Sequence, residues 1–468
     1  MLFNSVEYIF IFLPIVFFIY YYLNEKRLLT ASKAFLVFAS LFFYSWWNVA
    51  YLPLILISML FNYTIGNSFV KNKNISNKSI LIFGVIANLS LLGYFKYADF
   101  FIENINQVSN NDISLLHLAL PLAISFFTFQ QIAYLVDSYR GETKEYDFLN
   151  YAIFVTFFPQ LIAGPIVHHK EMMPQFANIK NKVKNYKNIA TGLFIFSMGL
   201  FKKVIIADHF AKVANMGYQN TEILNIAEAW ATSLSYTFQL YFDFSGYTDM
   251  AIGAALLFNI KLPINFNSPY KALSIQDFWR RWHMTLSRFL RDYIYIPLGG
   301  NRKGNISTYY NLMATFILGG LWHGAGWTFI FWGFLHGFAL IVHRSWNTLG
   351  FKMNKILAWF ITFNFINLTW VFFRAENFSS ATELIKNMFN IYSIELLTKE
   401  NLLLHIDSKP KVFLIILLAI LLVSVGKNSN YFIEKFKPNK IYLFSFLMMF
   451  LIATLNLNKY QIFLYFNF

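Results

Sequence analysis

His323 sits in Phe316-Ile317-Leu318-Gly319-Gly320-Leu321-Trp322-His323-Gly324-Ala325-Gly326-Trp327, an imidazole inside apolar sequence interrupted by glycine. An ionisable side chain at membrane depth is costly, so it faces a protein interior or a water-filled cavity, where it can pair or do chemistry. The competing reading is a packing histidine whose ring nitrogens bond to helix carbonyls. Gly319, Gly320, Gly324 and Gly326 have no Cβ, so a neighbouring helix or a slender ligand can come close to the backbone there.

A second constellation runs from Asp277 to Asp292 and holds Arg280, Arg281, His283, Arg288 and Arg291. Wound at roughly 100° per residue, it puts Phe278, Trp282, Leu286, Phe289, Leu290 and Tyr293 in one sector and the four arginines in another. This predicts an amphipathic helix with His283 at the edge of the apolar sector, looking inward. Such a helix can lie in the headgroup plane with its arginines on lipid phosphate. Its guanidiniums also suit the phosphates of a soluble donor such as coenzyme A. Asp243 and Asp249 stand beside an apolar helix and are expected to cap it or to pair with those arginines. Too few oxygen ligands accompany them for a metal, and none is expected. Lys202-Lys203 reads as a cytoplasmic helix end, and His336 and His343 read as structural.

The elements that must position these groups are set by composition. Of 468 residues 57% are hydrophobic and 13% charged, about half the charge of a soluble domain. The chain is therefore expected to be all-α, a polytopic helical membrane protein. Apolar stretches at about 8–23, 34–47, 52–69, 79–95, 115–136, 148–162, 189–200, 226–258, 309–321, 328–343, 356–373, 412–425 and 441–455 predict about 11–13 membrane helices. Residues at about 259–307 do not fit a span and are read as an amphipathic insertion on the cytoplasmic side. With no repeat or linker, residues 1–468 are expected to form a single membrane domain.

The formal charge of +15 fits Lys and Arg in cytoplasmic loops facing anionic lipid. No basic soluble domain is present, so no nucleic-acid partner is expected. Basic loops at Lys26, Arg27 and Lys33 and at Lys71, Lys73 and Lys78 place the N-terminus outside the cytoplasm. The absence of cysteine excludes disulfides, thiolate catalysis and Cys-ligated metals.

Tyr-Phe-Asp-Phe-Ser-Gly-Tyr at 241–247, Phe-Trp-Arg-Arg-Trp-His at 278–283, Ile-Pro-Leu-Gly-Gly-Asn-Arg-Lys-Gly at 296–304 and Leu-Trp-His-Gly-Ala at 321–325 occur together. With Tyr44-Ser45-Trp46-Trp47, Phe158 to Ile166 and Val371 to Glu376, they resemble the membrane-bound O-acyltransferases. The bacterial branch that acetylates alginate and peptidoglycan is the most similar. His168-His169 departs from that pattern, and the C-terminal third matches only in hydropathy, which leaves the acceptor open.

The resemblance implies acyl transfer with His323 as catalytic histidine and His283 as the second polar residue. The residues suit that role. Neutral imidazole can take a hydroxyl proton, and backbone N–H groups near Gly324 or the Trp322 indole can stabilise an oxyanion. Arg280, Arg281, Arg288, Arg291 and Trp322 are the expected donor contacts. Acetyl-coenzyme A is the expected donor substrate, with no tightly bound cofactor. The expected acceptor is an extracytoplasmic polysaccharide or a periplasmic partner, and the expected location is the cell inner membrane. A polysaccharide-precursor transporter would share the hydropathy but should show paired repeats. A structural subunit of a polymer-export complex would need no buried histidine.

Overall fold

The computed structural model describes residues 1–71, 75–143, 147–393, 409–457 and 463–464, and the regular elements among them are all helical. Lys73 of the second basic loop lies outside these residues. In chain order the helices begin with α1 (Leu13–Glu25), α2 (Leu29–Ser45), α3 (Leu52–Lys71), α4 (Asn77–Ser109), α5 (Ile124–Tyr139), α6 (Phe148–Thr156), α7 (Phe158–Leu161) and α8 (His169–Ala177). There follow α9 (Tyr186–Phe201), α10 (Asp208–Gln219), α11 (Ile226–Leu257), α12 (Ile275–Trp279), α13 (Met284–Leu290) and α14 (Gly304–His323). The last are α15 (Trp327–Thr348), α16 (Lys355–Arg374), α17 (Phe378–Met388), α18 (Lys409–Val425), α19 (Ser429–Lys435) and α20 (Lys440–Thr454).

Every apolar stretch named above carries helix. Five of them, Tyr8–Glu25, Val49–Phe69, Asn77–Ser109, Tyr186–Gln219 and Lys355–Arg374, are long and apolar enough to cross a membrane unaided. A sixth forms if Pro410–Val425 and Ser429–Lys435, bent by 47°, count as one span. The other stretches are shorter, as in α2 and α20, or broken, as between α6 and α7. Long helices such as α11 and α15 interleave polar and aromatic residues that hydropathy scores lower.

The chain divides into two compact units. The first holds Met1–Leu200, Tyr247–Pro263 and Phe436–Leu457. Its helices touch closely wherever small or amide side chains allow it. Asn62 on α3 and Asn88 on α4 exchange amide hydrogen bonds of 3.1 and 2.7 Å, a favourable pairing between otherwise apolar helices. A Cβ on Gly192 would lie 2.7 Å from the carbonyl oxygen of Gly253, and one on Gly253 would lie 2.6 Å from that of Gly192. Backbone therefore meets backbone at that crossing.

The second unit holds Phe201–Gly246 and the described part of Ile264–Lys435, with Phe463 and Leu464. Its centre is the antiparallel hairpin of α14 and α15. A Cβ on Gly320 would fall 2.3 Å from the carbonyl oxygen of Phe329, and one on Gly333 would fall 2.3 Å from that of Phe316. One Cβ on Gly324 would lie 2.2 Å from the Phe329 ring. Gly320 and Gly324 are thus closed off by the neighbouring helix, whereas Gly319 meets only Leu290 at 3.3 Å and Gly326 makes ordinary contact with Phe329 at 3.5 Å.

The Asp277 to Asp292 stretch departs from a continuous amphipathic helix. α12 ends at Trp279 and α13 starts at Met284, with His283 between them at φ 42°, in the left-handed region. The break is held from outside. The Asn267 N–H donates to the Arg281 carbonyl and the Met284 N–H to the Asn265 carbonyl, both at 2.9 Å. Helical periodicity cannot report such a register, because the partner segment lies upstream. The apolar residues still turn inward: Phe278, Trp282, Leu286, Phe289 and Leu290 are all buried in protein. They are not laid against lipid as a headgroup-plane helix would lay them.

Candidate functional site

His323 is the last residue of α14 and is buried. Its ring is boxed by Trp322 at 4.9 Å, Phe373 of α16 at 5.1 Å and Trp332 of α15 at 5.3 Å between centroids, the last edge-on at 89°. Aromatic faces hold an imidazole in place through dispersion and quadrupole contacts without taking its nitrogens. Burial and a fixed ring orientation are two of the conditions that acid–base chemistry sets.

His283 approaches from the insertion and is completely buried. Its Nδ1 lies 3.1 Å from Asn265 Oδ1. Phe244 of α11 covers its ring edge-on at 4.8 Å, and the Trp322 ring stands 6.3 Å away. Trp322 therefore touches both histidines, and the two imidazoles are gathered around one indole. Burial lowers the His283 pKa to about 3, so the ring is neutral at cellular pH.

His336 is differently engaged. Trp279 Nε1–H donates to its Nδ1 at 3.1 Å, which leaves the ring proton on Nε2 to meet Thr369 Oγ1 at 3.1 Å. Thr369 in turn donates to the Ile366 carbonyl at 2.9 Å. Both ring nitrogens are occupied in joining α12, α15 and α16, as a structural role requires. His343 is only partly buried and shares a 3.1 Å contact with Asn347.

The four arginines do not share a face. Arg280 and Arg291 line a cavity of about 770 Å³ together with Arg344, Gln276, Ser287 and Asn301. That volume is in the range of small-molecule sites. Arg281 turns elsewhere, its Nε 2.8 Å from Asp277 Oδ1 and its guanidinium reaching the Asn267 carbonyl. Arg288 sits in the last turn of α13, outside the residues lining this cavity.

The membrane-bound O-acyltransferase family model matches residues 43–382, a stretch that contains His283, His323 and Trp322. The chain belongs to the membrane-bound O-acyltransferase family. This acyltransferase is 50% identical to the peptidoglycan O-acetyltransferase of Helicobacter pylori, over 100% of its own length and 98% of that relative's. It is 42% identical to the probable alginate O-acetylase AlgI of Pseudomonas aeruginosa, over 83% of the chain and 75% of that relative. The teichoic acid D-alanyltransferase of Bacillus subtilis is 29% identical over 55% of the chain and 69% of that protein. The acyltransferase is a multi-pass membrane protein by these matches and by its apolar helices.

Sequence reasoning missed several residues of this acyltransferase. Arg344, on α15, completes the basic cavity, and only the fold brings it to Arg280 and Arg291. Asn265 lies in the loop between α11 and α12, where no helical or hydropathy pattern marks it, and its side chain is buried. Lys203 is a correction. Far from marking a cytoplasmic helix end, it is buried, with its Nζ 2.7 Å from Asp208 and 2.7 Å from Asp243. Asp243 is thereby engaged by this lysine and not by an arginine of the insertion. It neither caps nor breaks α11, which runs on to Leu257.

Proposed function

We propose that this acyltransferase takes an acetyl group from cytoplasmic acetyl-coenzyme A and delivers it across the cell inner membrane for O-acetylation of an extracytoplasmic polysaccharide. The observation that carries the reading is the pair of buried imidazoles, His283 and His323, gathered around Trp322 within the family-matched region. Delivery is either direct or through a periplasmic partner protein. The full-length similarity to a peptidoglycan O-acetyltransferase supports peptidoglycan over an alginate-like polymer.

In the proposed reaction His323 takes the proton of the acceptor hydroxyl as its oxygen bonds to the thioester carbonyl carbon. The tetrahedral oxyanion is stabilised by polar hydrogens of the Trp322 to Gly324 region. Its collapse breaks the C–S bond, and the departing thiolate takes the proton from imidazolium. Phosphates of the donor occupy the cavity of Arg280, Arg291 and Arg344, where guanidinium forks suit phosphate oxygens. The positive-inside rule places that insertion in the cytoplasm and the N-terminus outside.

The test uses sealed right-side-out vesicles loaded with labelled acetyl-coenzyme A. Label is expected on an acceptor glycan or partner added outside, and the transfer is expected to depend on His323. Label confined to internal acceptors would overturn the sidedness. Undiminished transfer by His323→Ala at equal abundance would overturn the site.

A further inference from the structure

We infer that Asn265 is a positioning residue that holds His283 as the Nδ1–H tautomer and so presents Nε2 as a hydrogen-bond acceptor to the hydroxylic substrate. The inference rests on the proposed placing of His283 in the acyl-transfer site, and it assigns a task to a residue outside the histidine pair.

The chain of contacts fixes the direction of each bond. Asn265 is 1% exposed. Its Oδ1 receives the Thr285 backbone N–H at 3.2 Å and the Thr285 hydroxyl at 3.0 Å. A backbone N–H only donates, so the atom facing it is the carbonyl oxygen of the amide and not its NH2 group. The same oxygen lies 3.1 Å from His283 Nδ1. Two lone pairs would repel at that distance, so Nδ1 carries the proton. A neutral imidazole has one N–H, and Nε2 is then the basic nitrogen. His336 shows the opposite arrangement, with Nδ1 accepting from Trp279.

The backbone supports the same conclusion independently. His283 adopts φ 42°, a conformation that L side chains rarely take. The 265–267 segment that supplies Asn265 also brackets His283 through the Met284-to-Asn265 and Asn267-to-Arg281 backbone bonds. One short segment therefore sets both the position of the ring and its proton. Strained backbone of this kind is retained where the surroundings over-determine it, and it concentrates at functional sites.

Among the described residues, Asn265, Phe244 from α11 and Trp322 from α14 face His283, and none of these three carries a charge. Asp243, the residue before Phe244, is paired with Lys203. His323, across Trp322, is the titratable group on that side.

The experiment measures acetyl transfer from labelled acetyl-coenzyme A by the full-length protein in liposomes, as a function of pH, for Asn265→Asp, Asn265→Leu, His283→Ala and Asn265→Leu with His283→Ala. Aspartate keeps an acceptor for Nδ1–H and for Thr285 but favours imidazolium, which raises the His283 pKa. Because the charged ring cannot accept at Nε2, the His283 ionisation, near pH 3 in the wild type, is expected to rise into the range of the His323 limb, so that the acid limb of the rate profile moves up and steepens from one proton toward two. Leucine removes the acceptor, and kcat is expected to fall roughly 10-fold or more, with the KM for acetyl-coenzyme A changed less than about twofold. In the His283→Ala background the leucine change is expected to add nothing. If the leucine variant does not fold, the aspartate pH profile alone decides. An unmoved acid limb, or an equal loss of kcat on adding Asn265→Leu to His283→Ala, overturns the positioning role while the site reading stands. Wild-type kcat in His283→Ala overturns the site reading, and the positioning role with it.

Discussion

His323 and His336 are both buried against Trp332, with Phe373 beside the first and Trp370 beside the second. Burial does not distinguish a reacting histidine from a packing one; the effect of each on the transfer rate does. His336→Ala removes the partner of the Trp279 indole and of the Thr369 hydroxyl and leaves a cavity. It is expected to lower stability by about 2–4 kcal/mol, read as a lower thermal midpoint in detergent. Unlike His336→Ala, which should keep the transfer rate of the folded protein, His323→Ala is expected to lower that midpoint by a similar amount, through the cavity left among Trp322, Trp332 and Phe373, and to lose rate as well. Its transfer rate should fall about 10²–10⁴-fold, as for loss of a general base. A matched fall in both properties for both variants would remove the distinction.

Among the elements, the α14–α15 hairpin and the α12–α13 break decide where His323 and His283 sit. At Gly320 an added Cβ meets the Phe329 carbonyl at 2.3 Å, a backbone atom that cannot turn aside. Gly320→Ala is therefore expected to separate the hairpin and to lose monodisperse protein on size-exclusion chromatography. Gly319→Ala meets only the tip of Leu290 at 3.3 Å, and a flexible methyl can give way. That variant should elute as wild type. Two of the insertion's arginines, Arg280 and Arg291, line one cavity, and Arg281 lies outside it. Arg280→Gln and Arg291→Gln are expected to raise the KM for acetyl-coenzyme A by about 10-fold each, the effect of losing one charge-assisted phosphate contact. Arg281→Gln should leave it unchanged, because Arg281 does not line that cavity. Equal effects from all three would restore a single basic face.

At the scale of the whole molecule, the second unit contains a buried ion cluster. Lys203 reaches Asp208 and Asp243, and Asp243 also accepts the Leu464 N–H at 3.0 Å. Removing the cation leaves two carboxylates buried without it. Lys203→Met is expected to cost about 3–5 kcal/mol and to deplete the protein from membranes. Charge neutralisation of the partners as well, by Asp208→Asn with Asp243→Asn, should recover part of that loss. Recovery would be measured as abundance and thermal midpoint against the single variant.

The sequence by itself determined the solvent, the class and the chemistry. A chain with 57% hydrophobic and 13% charged residues belongs in a membrane. There the backbone must satisfy its own hydrogen bonds, so helices follow, and the positions of the apolar stretches locate them. His323 and His283 were legible for the same reason, as ionisable groups in apolar surroundings and in motifs shared with acyltransferases. The tertiary structure alone decided what each of those groups touches. Asn265 reaches His283 through an amide that a loop places beside it, Lys203 finds Asp243 on another helix, and Arg344 joins Arg280 and Arg291 across a cavity. No local pattern encodes these meetings, because hydropathy and helical periodicity describe a residue's own turn, whereas a tautomer, an ion pair or a cavity wall depends on residues brought from far along the chain.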